Sequence, residues 1–145
     1  MNTIPFRLFK IETVEFAKFE ELYNSASEHE DSVQFGLDLS FGAKSIRDAG
    51  LVCAITVLFK QDKAIFLKIK TACFFNIEET FWNKNINDQT LTIPHKIADH
   101  MIFLTLGATR GILHAKTEGS ILNRFILPQV DISDYIQEDV SIDFH

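Results

Sequence analysis

Residues 107–117 read GATRGILHAKT, with Gly107 and Gly111, Arg110, His114 and a Lys116-Thr117 pair. Glycines near a Lys-Thr pair suggest a phosphate-binding loop. Such a loop needs GxxxxGK followed by Ser or Thr, placed between a strand and a helix, so that successive backbone N–H groups wrap the phosphates. Here Ala115 stands where the second glycine belongs, and the segment follows a helical pattern. A nucleotide site is therefore not expected. The histidines do not assemble into a metal or catalytic motif either. His95 and His100 lack the HExxH spacing, His114 is distant, and His29 and His145 lie in polar ends. Asp99 and His100 are sequence neighbours, so on a helix they point in different directions. There is no GxSxG elbow. Glu78 and Glu79 form a carboxylate pair in a turn, where charge serves solvation. Cys53 and Cys73 sit inside apolar runs without a CxxC pair, as buried thiols in a reducing compartment would. No catalytic residue, metal ligand or cofactor is expected.

The elements that hold these residues are legible from periodicity. The chain has 145 residues, 46% hydrophobic and 23% charged, which fits one domain over 1–145 with a core of its own. Residues 4–19 alternate in part and predict a first strand. The polar stretch EELYNSASEHEDS predicts a loop or short helical turn. Val33, Phe35, Leu37, Leu39 and Phe41 alternate with polar or small residues, which predicts a strand with one apolar face. LVCAITVLF (51–59) reads as a strand inside a sheet, and QDK turns it back into a long arm over 64–77. Strict alternation puts Ile65, Leu67, Ile69, Thr71, Cys73, Phe75 and Ile77 on one face of that arm. Phe66, Lys68, Lys70, Ala72 and Phe74 then take the other.

A polar crossover carrying Phe81 and Trp82 follows. Pro94 marks a helix start with Thr92 as its cap. Ile97, Met101, Leu104, Ala108 and Ile112 then recur at helical spacing. Ile102, Phe103, Leu106 and Leu113 make other sides of the helix apolar too, so it must bury one side on its own sheet and another on a partner. Gly107 and Gly111 permit close approach of a second backbone, with Arg110 facing acids on a partner. Lys116 and Gly119 end the helix. Pro128 breaks the remainder, and ISDYIQEDV predicts a short closing helix capped by Ser133. The fold class is α+β: a four-stranded antiparallel sheet covered by one long helix plus a short C-terminal helix.

Bulk properties exclude two partner classes. A net charge of −6 argues against a phosphate-backbone binder, so no nucleic acid is expected. No run of about 18 apolar residues exists, so no membrane insertion is expected, and no signal peptide is visible. The cytoplasm is the default location. What stands out is apolar surplus, with 14 Phe residues that alternation cannot all hide on one face.

The order of elements resembles the SecB protein-export chaperones and their SecB-like relatives, over about residues 6–137. VQFGLDLSFGAKSIRDAGLVCAITVLF is similar to that family's second strand, polar link and third strand. AIFLKIKTACFFNI is similar to its fourth strand, with the ending Phe74, Phe75, Asn76, Ile77. IPHKIADHMIFLTLGATRG is similar to the main helix, and ILPQVDISDYI to the proline-containing link and closing helix. The weight lies in order and spacing, since no single motif is specific. The resemblance implies an ATP-independent holdase without enzymatic activity, a homo-oligomer (dimer or dimer of dimers) that binds unfolded or pre-secretory polypeptides in apolar grooves. Phe74, Phe81, Trp82, Ile102 and Leu106 are the implied groove, and Gly107, Arg110 and Gly111 the oligomer interface. Glu15, Phe66 and Lys68 match the face that contacts the SecA translocation motor. Lys68, however, stands where the family carries an acid, and HAKTEGSILNRF is longer than the usual link. An antitoxin-like client is the analogous alternative to export. Two other readings remain: a small acidic immunity or inhibitor protein with one folded partner, and, ranked last, an enzyme using His100, Asp99 or Cys73.

Overall fold

Asp62 and Lys63 both adopt positive φ, 50° and 71°. That is the two-residue primed turn whose twist matches the strands it joins. It connects β3 (Gly50–Gln61) to β4 (Ala64–Ile77) in a computed structural model that describes residues 4–25, 32–131, 136 and 138–144. With β1 (Phe6–Lys18) and β2 (Val33–Ala43), these strands form an antiparallel sheet in the order β1-β4-β3-β2. The odd-numbered residues of β3, from Leu51 to Phe59, are buried on one face, while the even-numbered ones are half-buried on the other. The long apolar alternations of the sequence thus become one sheet with a dry side and a wetter side.

The dry side is covered by α2 (His95–Thr117), which lies across β3 and β4. Ala98, Met101, Ile102, Thr105, Leu106, Thr109, Leu113 and Thr117 form its buried stripe. Three of these are threonines, whose buried hydroxyls must find acceptors. Each donates to the carbonyl one turn back: Thr105 to Met101 at 2.8 Å, Thr109 to Thr105 at 2.7 Å and Thr117 to Leu113 at 2.9 Å. Gly119, at φ +81°, follows the helix end as expected.

A β-bulge corrects the face assignment in β4. The register runs Phe59↔Leu67 and then Lys60↔Ile65, so Phe66 has no partner in the ladder. Phe66 turns inward beside Leu67, both at 0% exposure, and Ile65 turns outward at 40%. Strict alternation had placed these two side chains the other way round. A ring cluster of Phe66 with Tyr23, Phe59 and Phe125 fills the space, with centroids 5.0, 6.5 and 5.0 Å from Phe66.

The crossover is more ordered than its polarity suggests. After the short helix α1 (Glu79–Lys84), β5 (Ile86–Asn87) and β6 (Thr90–Ile93) form a hairpin on another primed turn, Asp88-Gln89. β7 (Val140–Asp143) pairs with β6 and completes a small second sheet. Thr92 therefore lies in a strand and does not cap α2. Pro94 occupies the cap position without a side-chain bond, and Asp139 Oδ1 accepts from the His95 N–H at 2.8 Å in its place. Most of the expected closing helix, with Ser133, lies outside the described residues, and its last residue, Val140, begins β7.

Candidate functional site

On the face away from α2, one row of residues crosses the whole sheet. Gly42 pairs with Val52, Val52 with Phe74, and Phe74 with Lys10. A Cβ added at Gly42 would stand 3.1 Å from Val52 Cγ1, so glycine leaves Val52 room to lean toward the edge. Between Leu8 and Lys10 the β1 register shifts, which makes Phe9 a bulged residue. Phe9 is 53% exposed, and its ring centre lies 6.4 Å from that of Phe74. Phe9, Gly42, Val52 and Phe74 line a cleft of ≈ 660 Å³ at the end of the sheet, closed on its far side by the link that carries Lys44, Asp48 and Ala49.

That closing link is held from several directions. Ser45 Oγ accepts from the Arg47 and Asp48 N–H groups at 3.3 and 3.2 Å and donates to Asp48 Oδ2 at 3.1 Å. The Ile77 N–H donates to the Ala49 carbonyl at 2.8 Å. Trp82 reaches across from α1, its Nε1–H donating to the Ile46 carbonyl at 2.8 Å. At the mouth, Lys10 Nζ sits 5.0 Å from the Phe74 ring centre and 3.2 Å from Glu12 Oε2. A wall of this kind binds apolar side chains by burial and offers the aromatic faces of Phe9 and Phe74 for stacking.

The five residues expected to form a groove do not share a surface. Phe74 lines the cleft and Phe81 is half-buried against the core. Trp82, Ile102 and Leu106 are core residues, at 2%, 3% and 5% exposure. The reason is geometric: Ile102 and Leu106 lie on the helix stripe that faces the sheet, and the sheet separates them from Phe74. Trp82 acts on the cleft through the link it pins.

Glu15 and Lys68 do come together, on the outer face, with Nζ 3.1 Å from Oε1. Phe66 is not beside them, because the bulge buries it. Gly107 and Gly111 are exposed on α2, with open space where a Cβ would be, next to Phe103 at 67% exposure. Arg110 is turned to its own chain. Its Nε donates to the Leu127 carbonyl at 3.1 Å and its Nη2 to that of Pro128 at 3.3 Å, which ties down the link after α2.

The titratable residues stay scattered. His95 Nδ1 lies 3.4 Å from Asp139, His114 Nε2 3.7 Å from Glu118, and His100 packs edge-on against Phe6. Among the described residues no group of His, Cys, Asp and Glu is arranged to hold a metal ion, and no helix is long and apolar enough to cross a membrane. Sequence reasoning missed Phe9, Gly42, Val52 and Lys44 as cleft residues. Phe9 carried a signal, since it follows Leu8 directly and breaks the alternation begun by Phe6 and Leu8.

A four-stranded antiparallel sheet, one long helix across its dry face and a small crossover sheet define the SecB-like fold. A solved structure of a SecB-like chaperone from Mycobacterium tuberculosis, in complex with a ChAD peptide from the HigA1 antitoxin, matches this chain with a TM-score of 0.52. The match covers 88% of this chain and 91% of that one at 8% sequence identity, so what is shared is the fold. No family model matches the sequence, and no curated protein matches it.

Proposed function

We propose that this protein is a SecB-like holdase, a non-enzymatic chaperone that holds extended apolar segments of other polypeptides without nucleotide. The observation that carries this reading is the open apolar cleft at Phe9, Val52 and Phe74 on a SecB-like scaffold. Its walls are side chains of the strands, the β1 bulge and the 44–50 link, accessible from solvent. A site of this type rewards burial of a side chain and is tolerant of the sequence around it.

A dedicated peptide client is favoured over the translocation motor. Lys68 stands where the family carries an acid and pairs with Glu15 at 3.1 Å, and Phe66 is buried, which weakens the match to a motor-contact face. The SecB-like chaperone of similar fold is in complex with an antitoxin-derived peptide, and a client of that kind suits a compact cleft. We further assign the exposed α2 face at Phe103, Gly107 and Gly111 to a homo-oligomer interface, because it is apolar, shallow and without Cβ obstruction. The working compartment is the cytoplasm.

The test is a light-scattering assay on a thermally unfolded model client. The full chain at near-stoichiometric ratio slows aggregation equally with and without ATP, and elutes above the mass of a monomer. Unchanged aggregation at several-fold excess overturns the reading. A single tight folded partner recovered in its place would favour an inhibitor-type protein.

A further inference from the structure

We propose that the cleft selects an aromatic side chain carried on an extended segment whose neighbouring residues are acidic. This rests on the client-binding reading above and adds the chemistry of the segment. The volume, ≈ 660 Å³, lies within the roughly 300–1,000 Å³ typical of sites that enclose a small ligand. It admits an aromatic ring together with part of its backbone. Phe9 and Phe74, at a centroid distance of 6.4 Å and tilted by 55°, leave ring faces and edges for an incoming ring.

The charge at the mouth runs against that of the molecule. The chain carries −6 overall. Around the cleft, however, Lys44 lines the wall, Arg47 is in the closing link, and Arg7 stands in register with Asn76, another wall residue. All three are exposed, and among the described residues no carboxylate stands within ion-pair distance of any of them. Lys10, over the Phe74 ring, is the one paired cation here, with Glu12. The acid in the wall, Asp48, accepts a hydrogen bond from Ser45 within the link. A basic client would meet the exposed Arg7, Lys44 and Arg47. An acidic one would give those cations the partners they lack. Because the groups are solvent-exposed, their effect is on selectivity and is sensitive to salt.

The experiment uses the full chain and three labelled peptides, each with one central Phe flanked by Asp and Glu, by Lys, or by Asn and Gln. Fluorescence anisotropy at low ionic strength is expected to rank them acidic, neutral, basic, with about a fivefold step in Kd that shrinks toward unity near 0.5 M salt. Lys44→Glu, at an exposed site, should remove most of the preference for the acidic over the basic peptide. Phe9→Ala should weaken all three by roughly tenfold. Equal binding of the acidic and basic peptides, or an unchanged preference in Lys44→Glu, overturns the charge selectivity and leaves client binding standing. Binding of none of the three, with aggregation still unsuppressed, overturns the client reading itself.

Discussion

Cys53 and Cys73 stand directly opposite each other on β3 and β4, both at 0% exposure beneath α2. No disulfide joins them, and Thr105 on the helix lies close enough to influence both thiols. Burial pushes the Cys53 thiol up to about 12 from its ordinary 9.0, against a lowering by Thr105 and with a further rise from Cys73. Burial raises Cys73 as well.

The consequence is a stability that falls in alkali. Below pH 9 both folded and unfolded Cys53 carry the proton, and its contribution is fully present. Between about 9 and about 12 the unfolded thiol ionises while the folded one does not, which removes roughly 1.4 kcal/mol per pH unit. The contribution is gone once pH passes the folded value. Urea midpoints of wild type and Cys53→Ala compared from pH 8 to 11 measure this, and the wild type should show the steeper fall. At pH 8 neither thiol should react with a thiol reagent until denaturant opens the core.

Trp82 is the single tryptophan and is 2% exposed. Its fluorescence should be blue-shifted and poorly quenched by acrylamide, and should shift to the red on unfolding. Trp82→Phe removes the bond to Ile46 and is expected to cost about 1 kcal/mol. Because that bond holds the cleft wall, the same variant should also weaken peptide binding. Trp82→Ala should cost about 3–5 kcal/mol.

The glycines within and just after α2 separate by conformation. Gly119→Ala forces a side chain into φ +81° and should destabilise by about 1 kcal/mol. Gly107→Ala and Gly111→Ala add a Cβ to open space within a helix and should each stabilise by about 0.4–1 kcal/mol in a dilute thermal melt. A homo-oligomer packed on this face predicts a second effect: a lower mass by sedimentation at a fixed concentration.

Arg110→Ala deletes the bonds to Leu127 and Pro128 and is expected to cost about 1–2 kcal/mol. Limited proteolysis should then cut within residues 125–131 sooner than in wild type, with α2 itself intact. A cleavage rate equal to wild type would show that the link is held by Leu127 burial alone.

The four long strands were legible because β2 and most of β4 alternate, β1 alternates in part, and β3 is a nearly continuous apolar, β-branched run. β4 was read to its boundaries, and the turn at 62–63 followed from the two arms around it. The exchange of Ile65 and Phe66 was not legible, since a bulge changes the side-chain period without changing composition. The hairpin β5-β6 was hidden for another reason. Its strands are two and four residues long, and the partner that gives them value, β7, lies far along the chain. The candidate site was legible at Phe74 alone. Phe9, Gly42 and Val52 are near one another only through the register of four strands.

What the sequence determined by itself is local: apolar periodicity, turn chemistry at Asp62-Lys63 and the helix end at Gly119. Each depends on the conformational preferences of a few consecutive residues. The same local reading dismissed GATRGILHAKT as a phosphate loop, and the structure places that segment in the second half of α2. Tertiary structure alone decided which face each aromatic occupies, that Asp139 caps α2 from the C-terminal segment, and that Arg110 serves its own chain. These depend on strand register and on groups far apart in the chain, and register is set by how the whole core closes over the sheet.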